Sequence, residues 1–452
     1  MPFELTRTYI EELRTAIKES DEDWLIREAG ELHSADIAEI FDELNLTEAQ
    51  FVFRLLEKEK ASDVIVALEE DVRDKFLDSL SSQEIAENVI ESLESDDAAD
   101  MIGELPDEKQ DEVISMLEDL EQASDIVDLL NYEEGTAGAL MAKELIAVQE
   151  DWNVLTCAKE MRRQGEDIDF VYTVYVVDSA EKLIGTLSVK KLLITPTQVK
   201  VRSLYKPSVI SVQTSTPQEE VANIMEKYDL VVLPVVDQLG RLVGRITIDD
   251  VVDVIKEEAD KDYQMASGIT QDVESTDSIW VLSRARLPWL LIGLAGGIFG
   301  ARVIGVYEQD IQLHPEMAYF IPLIAAMGGN VGVQSSAIIV QGLANNTLGL
   351  EGMFSKLAKE FGVALLNGLV CSILILGYNL LFSDSLNLSL TVSIALLSVI
   401  IVAGLFGTFV PLALDRYKID PALATGPFIT TMNDILGLFI YFWIGRLMYL
   451  AV

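Results

Sequence analysis

A single carboxylate stands inside an apolar stretch near the end of the chain. Asp434 lies near the middle of residues 421–446, which read PALATGPFITTMNDILGLFIYFWIGR. Roughly 20 apolar residues suffice to cross the ~30 Å hydrocarbon core of a bilayer, so this stretch predicts a membrane span. An acid at that depth costs at least ~2.5 kcal/mol and is by default a candidate for an ion path or proton relay. The alternative is a structural acid, protonated or hydrogen-bonded inside a helix bundle.

The neighbours of Asp434 are small or polar. Helical spacing places Thr430, Thr431 and Gly437 on the same face, and Asn433 is adjacent in sequence. Such a face is unsuited to lipid, so we expect it to contact protein or water.

A second polar stretch is PLIAAMGGNVGVQSSAIIV, residues 322–340. Its polar and small residues are Gly328, Gly329, Asn330, Gly332, Gln334, Ser335 and Ser336. Glycines permit close helix approach or a break in the helix, and irregular backbone at membrane depth is tolerated only against protein or water. We interpret the stretch as pore wall; tight helix packing is the alternative.

The hydropathy pattern predicts five spans, at about 287–306, 318–343, 361–382, 388–414 and 422–447. Lys and Arg precede the first span and occupy the loops after the second and fourth, whereas the other two loops carry neither. By the positive-inside rule the amino end is cytoplasmic and the carboxyl end external, with Arg446 as a small exception.

Charge is divided unequally along the chain. Residues 1–280 contain 65 acidic and 25 basic residues, whereas residues 281–452 contain nine and eight. So acidic a region repels nucleic acid and attracts cations, and divalent ions between domains would offset its self-repulsion. The alternative is an acidic surface that serves solubility alone.

The first 21 residues have no apolar signal core, so we expect the first quarter of the chain to remain cytoplasmic.

Few residues suggest other chemistry. Two cysteines and two histidines favour neither a disulfide framework nor a zinc site. The spans contain no Ser–His or Cys–His constellation, so we expect no enzyme activity.

Residues 1–132 predict an all-helical, acidic domain. Short amphipathic units recur at 34–44, 62–71, 81–93 and 95–106, each opened by a serine expected to cap a helix. Repeats of this size predict a superhelix in which each unit buries its apolar face on the next.

Two later segments look like copies of one α/β unit, within residues 133–200 and 201–256. FVYTVYVVDSAEKLIGTLSVKKLL and LVVLPVVDQLGRLVGRITIDDVVDVI each predict a strand ending in Asp, a turn, a glycine that opens a second strand, and a helix. Together they resemble a tandem CBS pair, with GRITIDD (244–250) the most specific match. CBS pairs commonly bind adenosyl nucleotides, and the resemblance assigns Thr247 and Asp250 to phosphate and ribose. An empty or purely structural cleft is the alternative.

Residues 257–280 predict an acidic connecting helix followed by a polar linker. They lead to the membrane domain at residues 281–452. The helix is too acidic to enter a bilayer, and a helix in that position can transmit a change of shape to the spans. The predicted fold class is therefore a multidomain membrane protein: an all-α superhelical domain, an α/β CBS pair, a connecting helix and five membrane helices.

These parts, in this order, resemble the MgtE family of magnesium transporters. The resemblance covers nearly the whole chain and is carried by P-L-x-x-x-x-G-G-N-x-G-x-Q-S-S (322–336), Asp-Pro-Ala (420–422) and T-T-x-x-D-x-x-G (430–437). It implies a homodimer whose pore lies between the chains, with Asp434 of each chain at the ion-selective site. The lining that it implies comprises Gly426, Pro427, Thr430, Thr431, Asn433, Gly328, Gly329 and Asn330.

The resemblance also implies closure by intracellular Mg2+, bound between the acidic domain, the CBS pair and the connecting "plug" helix. The matching positions are Asp96, Asp100, Asp229, Asp250, Asp253, Glu258 and Asp262. Two departures stand out. Lys261 occurs where an acid is common, so one regulatory ion is missing or replaced by a Lys–carboxylate pair, and Gly426 stands where an Asn can occur.

The function predicted is import of Mg2+ down its electrochemical gradient, with Mg2+ as transported ion and regulator and ATP as a candidate ligand of the CBS cleft. The alternatives are a CBS-regulated transporter of Co2+, Ni2+ or Mn2+ and a nucleotide-sensing membrane protein. An anion channel fits poorly, because the spans have no mid-depth Lys or Arg.

Overall fold

The computed structural model describes residues 3–165, 168, 170–271, 273, 277–344, 349, 352–383, 385–424 and 426–450, without the side chains of residues 70 and 71. Residues 272 and 274–276 of the predicted linker lie outside this set. The chain divides into two compact units, Met1–Ile255 and Lys256–Val452.

The first part of the chain is helical, as predicted. Its helices are α1 (Arg7–Glu19), α2 (Glu22–Glu31), α3 (Ser34–Glu43), α4 (Leu46–Phe53), α5 (Lys58–Val66), α6 (Glu70–Asp78), α7 (Ser82–Asn88), α8 (Ser95–Gly103), α9 (Asp107–Met116) and α10 (Leu120–Leu129). Side-chain hydrogen bonds join residues 29 or 30 positions apart, as in Ser34–Asp63, Arg54–Glu84 and Ser82–Glu112. A constant offset between contacting residues is typical of stacked repeats, which confirms the superhelical prediction.

One of the four serines that were predicted to cap a helix does so. Ser81 forms a capping box with Glu84, whereas Ser34 and Ser95 are the first residues inside their helices. Ser62 is wrongly predicted, because it lies inside α5 and its hydroxyl donates to the Lys58 carbonyl oxygen at 2.9 Å. The helix begins at Lys58, and Ser62 lies on its buried face.

The next part of the chain repeats one motif, which confirms the duplication. The first copy has β1 (Ala147–Gln149), α11 (Val154–Gln164), β2 (Val174–Val177), β3 (Leu183–Leu187) and α12 (Val189–Ile194); the second has β4 (Val212–Gln213), α13 (Gln218–Lys227), β5 (Val232–Val236), β6 (Leu242–Thr247) and α14 (Ile248–Ala266). In each three-stranded sheet the first pair of strands is parallel and the second antiparallel. The register shift also recurs, at 176/177 and at 235/236.

The two glycines expected to open strands lie inside them. Gly185 is in β3 and Gly244 is in β6. A Cβ at Gly244 would lie 2.5 Å from the Met141 sulfur and 2.9 Å from the Ala142 carbonyl oxygen. Close packing against the preceding segment therefore explains the glycine.

The acidic connecting segment is one helix, α14, which runs from the end of β6 to Ala266. After it come α15 (Ile279–Val306), α16 (Glu308–Leu313), α17 (Ile321–Ala344), α18 (Met353–Phe382), α19 (Leu386–Arg416) and α20 (Gly426–Leu450). Five helices in the described part of the chain, α15 and α17–α20, are long and apolar enough to cross a membrane. Helices α15, α18 and α19 are longer than their apolar stretches, because polar end residues continue the helix, whereas α17 and α20 begin three and four residues later than predicted.

Helix α19 is the most buried of these five, and it packs against α17, α18 and α20. The glycine-rich stretch of α17 is unbroken, so its glycines serve close approach and not a break. At the opposite end of α20 from Gly426, Arg446 pairs with Asp310 at 2.8 Å and lies over the Tyr307 ring. This ion pair explains how the exceptional cation is accommodated.

Candidate ion path and acidic clusters

Asp434 lies where α20 crosses α17. Its Oδ1 atom is 3.5 Å from the position that a Cβ of residue 329 would take, and the Thr430 methyl is 3.1 Å from the same position. Glycine at 329 therefore lets α20 approach α17 at the level of the carboxylate. The side chain is half-buried, so part of it faces outward from this chain.

Asn433 points into the helix bundle. It is 1% exposed, and its amide occupies the space beside Gly332, where a Cβ would overlap Nδ2. Among the residues that the structure describes, neither polar atom of this amide has a hydrogen-bond partner. Thr431 packs against Gly296 of α15 in a similar way. Thr431 and Asn433 thus sit at helix contacts on either side of the Asp434 face.

Polar residues of α17 are divided between two faces. Gly328, Gly329, Ser335 and Ser336 are buried against neighbouring helices, whereas Asn330 and Gln334 are exposed. These two are one helical turn apart and therefore lie on the same face. Exposed amides at this depth need water or another protein chain, because lipid offers no hydrogen bonds.

The start of α20 packs against the end of α14. Gly426 has φ +48°, and a Cβ there would overlap the Ala266 carbonyl oxygen. Gly268, with φ +82°, lies under Pro427, whose Cγ would be 2.6 Å from a Cβ. The glycine at 426 that departs from the family pattern thus meets two demands, a left-handed backbone and close contact with the connecting segment.

Asp262 of α14 lies near two other acids, Glu258 and Asp420. Burial raises the pKa of Asp262, and the carboxylates of Asp420 and Glu258 raise it further. Lys261 lies 3.6 Å from Glu258, an arrangement that fits the second of the two alternatives for this position, a Lys–carboxylate pair in place of an ion. Sequence reasoning missed Asp420 as an acid of this group, although it belongs to the Asp-Pro-Ala motif; its Oδ1 accepts from the Ala422 amide at 2.8 Å.

The other acidic group lies in the first unit, at the start of α8. Burial raises the pKa of Asp96 well above its ordinary value, and the nearby Asp250 carboxylate adds to the effect. Burial, then Asp250 and Asp100, raise the pKa of Asp97 to about 7. Asp97 was not predicted, because its partner is about 150 residues away in sequence. The structure therefore brings Asp96 and Asp250 together as expected and adds Asp97.

Three other acids that were predicted to bind regulatory ions lie at the surface of the protein. Asp100, Asp229 and Asp253 are exposed, and Asp229 adopts a left-handed φ of 52° just after α13. Within the described ranges, no three His, Cys, Asp or Glu side chains are already arranged to hold a metal ion.

The CBS pair encloses a small cleft. It is lined by Glu144, Leu145, Ile146, Ile168, Phe170, Val171, Tyr172, Thr173, Tyr175, Val232 and Arg245. Tyr172 is 43% exposed, with the Arg245 guanidinium 5.9 Å from its ring centroid. Thr247 and Asp250, predicted for phosphate and ribose, bond to each other: the Thr247 hydroxyl donates to Asp250 Oδ2 at 2.6 Å, and the Thr247 amide at 3.1 Å.

Three known sequence families match this chain in order. "MgtE intracellular N domain" covers residues 32–135, "CBS domain" covers 137–195 and 201–257, and MgtE, "Divalent cation transporter", covers 321–444. These parts define a multi-pass membrane transporter with a cytosolic amino-terminal domain.

Two relatives and one solved structure extend the match. Magnesium transporter MgtE of Thermus thermophilus is 34% identical over 444 residues, 97% of this chain and 98% of the relative. Magnesium transporter MgtE of Bacillus subtilis is 32% identical over 317 residues, 70% of each chain. The crystal structure of the cytosolic domain of the Mg2+ channel MgtE in complex with ATP is 35% identical, with a TM-score of 0.50, and covers 54% of this chain and 99% of that one. The chain belongs to the MgtE family.

Proposed function

We propose that the protein is a Mg2+-selective channel or transporter that imports magnesium down its electrochemical gradient and closes when intracellular Mg2+ is high. The observation that carries the proposal is the half-buried Asp434 carboxylate, packed beside Gly329 on a polar helix crossing. Mg2+ gives up water reluctantly, and proteins usually hold it through one or two carboxylates while several waters remain. One acid per chain suits such a hydrated ion.

The path lies between two copies of the chain. Asn330 and Gln334 are exposed on a span, and a water-filled path along a two-fold axis would solvate them. The same symmetry would bring two Asp434 carboxylates to one axis. Thr430 and the Gly426–Pro427 carbonyls line the same path, whereas Gly328 packs against Val399 and Asn433. The carboxyl end is external in this arrangement.

Intracellular Mg2+ closes the path by neutralising acids. In the first unit an ion binds among Asp96, Asp97 and Asp250, with Asp100, Asp229 and Asp253 as further ligands. In the second unit an ion binds Asp262, Asp420 and Glu258, which adjoin the start of α20. Without ions these carboxylates repel each other, and the second group then releases the end of α14 from the Gly426 contact.

ATP occupies the CBS cleft, since the MgtE cytosolic domain of 35% identity was solved with ATP. The exposed Tyr172 ring offers a stacking surface for adenine. Arg245 is paired with Glu94, so its guanidinium would have to leave that carboxylate to bind phosphate. Because Thr247 and Asp250 already bond to each other, ribose or phosphate must compete with that bond to use them.

Flux measurements on the full-length protein in liposomes test this proposal. We expect uptake of Mg2+ in preference to Ca2+, Mn2+, Co2+ and Ni2+, and a fall in rate as Mg2+ on the cytoplasmic face increases. Equal uptake of several divalent ions would favour the broader divalent transporter. No divalent flux at any cytoplasmic Mg2+ concentration would favour the nucleotide-sensing alternative.

A further inference from the structure

A second carboxylate enters the packing of the span helices, and the proposed ion path does not use it. Glu360 is on α18 and is half-buried. Its Oε1 accepts a hydrogen bond from the Ser335 hydroxyl of α17 at 2.6 Å. A charge-assisted bond this short is stronger than a neutral one. It ties α18 directly to the polar helix that carries Gly329 and Asn330.

The intervening helix is shaped to let this bond form. At Gly404 of α19 a Cβ would lie 2.9 Å from Glu360 Oε1 and 3.6 Å from Ser335 Oγ. The neighbouring methyl group of Ala364 would lie 3.3 Å from the same position. A side chain at 404 would therefore press on the carboxylate. Glycine lets Glu360 pass beside α19 and reach α17.

The next residue of α17 makes a complementary bond. Ser336, which is fully buried, donates from its hydroxyl to the Ala424 carbonyl oxygen at 2.6 Å. Ala424 lies in the turn Pro421–Ala424 that precedes α20. Consecutive helix residues point about 100° apart, so Ser335 and Ser336 hold α17 from two directions. Together they fix the rotation of α17 relative to the start of α20.

We infer that Glu360 is a positioning residue of the ion path: through Ser335 it fixes α17 so that Gly329 and Asn330 face the path beside Asp434. The inference rests on the proposed function. It assigns the carboxylate the role of hydrogen-bond acceptor and gives it no contact with the ion. A glutamine, which keeps an acceptor oxygen in nearly the same place, should therefore replace it.

Four single variants and one double variant of the full-length protein separate the effects of the acceptor atom, the charge and the bulk of residue 360. The single variants are E360Q, E360A, S335A and, as a matched serine control, S398A, whose hydroxyl donates to the Ile394 carbonyl oxygen of its own helix. We expect E360A and S335A to lower Mg2+ flux per folded protein about tenfold, the scale of one charge-assisted hydrogen bond, and to lower the Mg2+/Mn2+ flux ratio. E360Q should keep most of the Mg2+ flux and most of the Mg2+/Mn2+ flux ratio. The double variant E360A/S335A should lose no more flux than either single variant.

A second measurement does not depend on flux. In a background without Cys157 and Cys371, Asn330→Cys is labelled with a membrane-impermeant maleimide. We expect E360A to change the labelling rate at least threefold, by about the same factor as S335A, while E360Q and S398A leave it unchanged.

The outcomes are distinct. Loss of flux and altered labelling in E360Q as severe as in E360A would overturn the inference, because charge and not hydrogen bonding would then matter. A lower folded yield in E360A, with unchanged flux ratio and unchanged labelling, would also overturn it. Wild-type protein without flux but with the expected labelling pattern would overturn the proposed transport function and leave the positioning role standing.

Discussion

The Arg245 guanidinium lies 2.7 and 2.8 Å from the two carboxylate oxygens of Glu94. This pair joins β6 of the second CBS copy to the residue just before α8. The Arg245 side chain is 5% exposed and that of Glu94 is 35% exposed. The contact is therefore largely shielded from water and holds the helical domain against the CBS pair at the edge of the Asp96–Asp97–Asp250 group.

Replacing this arginine should loosen the start of α8. R245A removes the guanidinium that faces Glu94. We expect the free energy of local unfolding at α8 to fall by about 2 kcal/mol, less than for a fully buried pair because Glu94 is partly solvated. Hydrogen exchange of the α8 amides measures the change. R241A is the matched control, because Arg241 makes an exposed pair within one turn. Equal exchange rates in the two variants would contradict this role.

The acids at α8 should couple Mg2+ binding to pH. Because burial raises the pKa of Asp97 to about 7, the folded protein keeps a proton that the unfolded chain loses near its ordinary pKa of 3.8. Without divalent ions, stability contributed by this group is complete below about pH 4 and is lost as pH rises towards about 7. Mg2+ requires the ionised form and so should release protons on binding.

Calorimetry in two buffers of different ionisation enthalpy measures that release. We expect proton release near pH 6.5 and a Mg2+ affinity that rises between about pH 6 and pH 8. D97N should reduce both, whereas D237N, at an exposed turn, should change neither. Proton release equal in wild type and D97N would show that Asp97 does not take part.

Close packing at Gly332 should be essential to the span bundle. G332A places a methyl group on the Asn433 amide, so α17 and α20 must separate, at a cost of about 1–3 kcal/mol. G297A is the control, since a Cβ at Gly297 meets nothing within 4 Å. Thermal unfolding in detergent should show a lower midpoint for G332A alone. The double variant G332A/N433A should regain part of the loss, because the Ile429 methyl would still lie 2.8 Å from the added Cβ. No recovery at all would locate the dominant clash away from the Asn433 amide.

Much of the architecture could be predicted from sequence because it depends on local patterns. Five apolar stretches predict five span helices, and a duplicated strand–turn–strand–helix pattern predicts two matching sheets. Polar ends of the spans were missed, since backbone hydrogen bonds continue a helix beyond its apolar part. Ser62 was assigned to a cap because serine suits both positions, and only packing of α5 places it inside.

The site was less accessible to sequence reasoning, because its contacts are distant along the chain. The nearby Asp250 carboxylate contributes to the raised pKa of Asp97, and Asp420 contributes to that of Asp262. Gly426 could be noticed as a departure, but its left-handed backbone against Ala266 could not be deduced. Glu360 has no sequence pattern that indicates its role, because Ser335 and Gly404 meet it only through helix packing. The sequence supplies candidate acids, and tertiary packing decides which of them meet.

The most direct test of the central claim is the initial rate of Mg2+ entry into liposomes for wild type, D434N and the control E308Q, whose side chain is exposed at the start of α16. Asparagine keeps the size of the aspartate but removes the charge that would hold a hydrated Mg2+. We predict that the initial rate of Mg2+ entry through D434N is at least about tenfold lower than through wild type, the scale of one charged contact. E308Q should keep the wild-type rate. Unchanged Mg2+ entry through folded D434N would contradict the account and make Asp434 a structural acid.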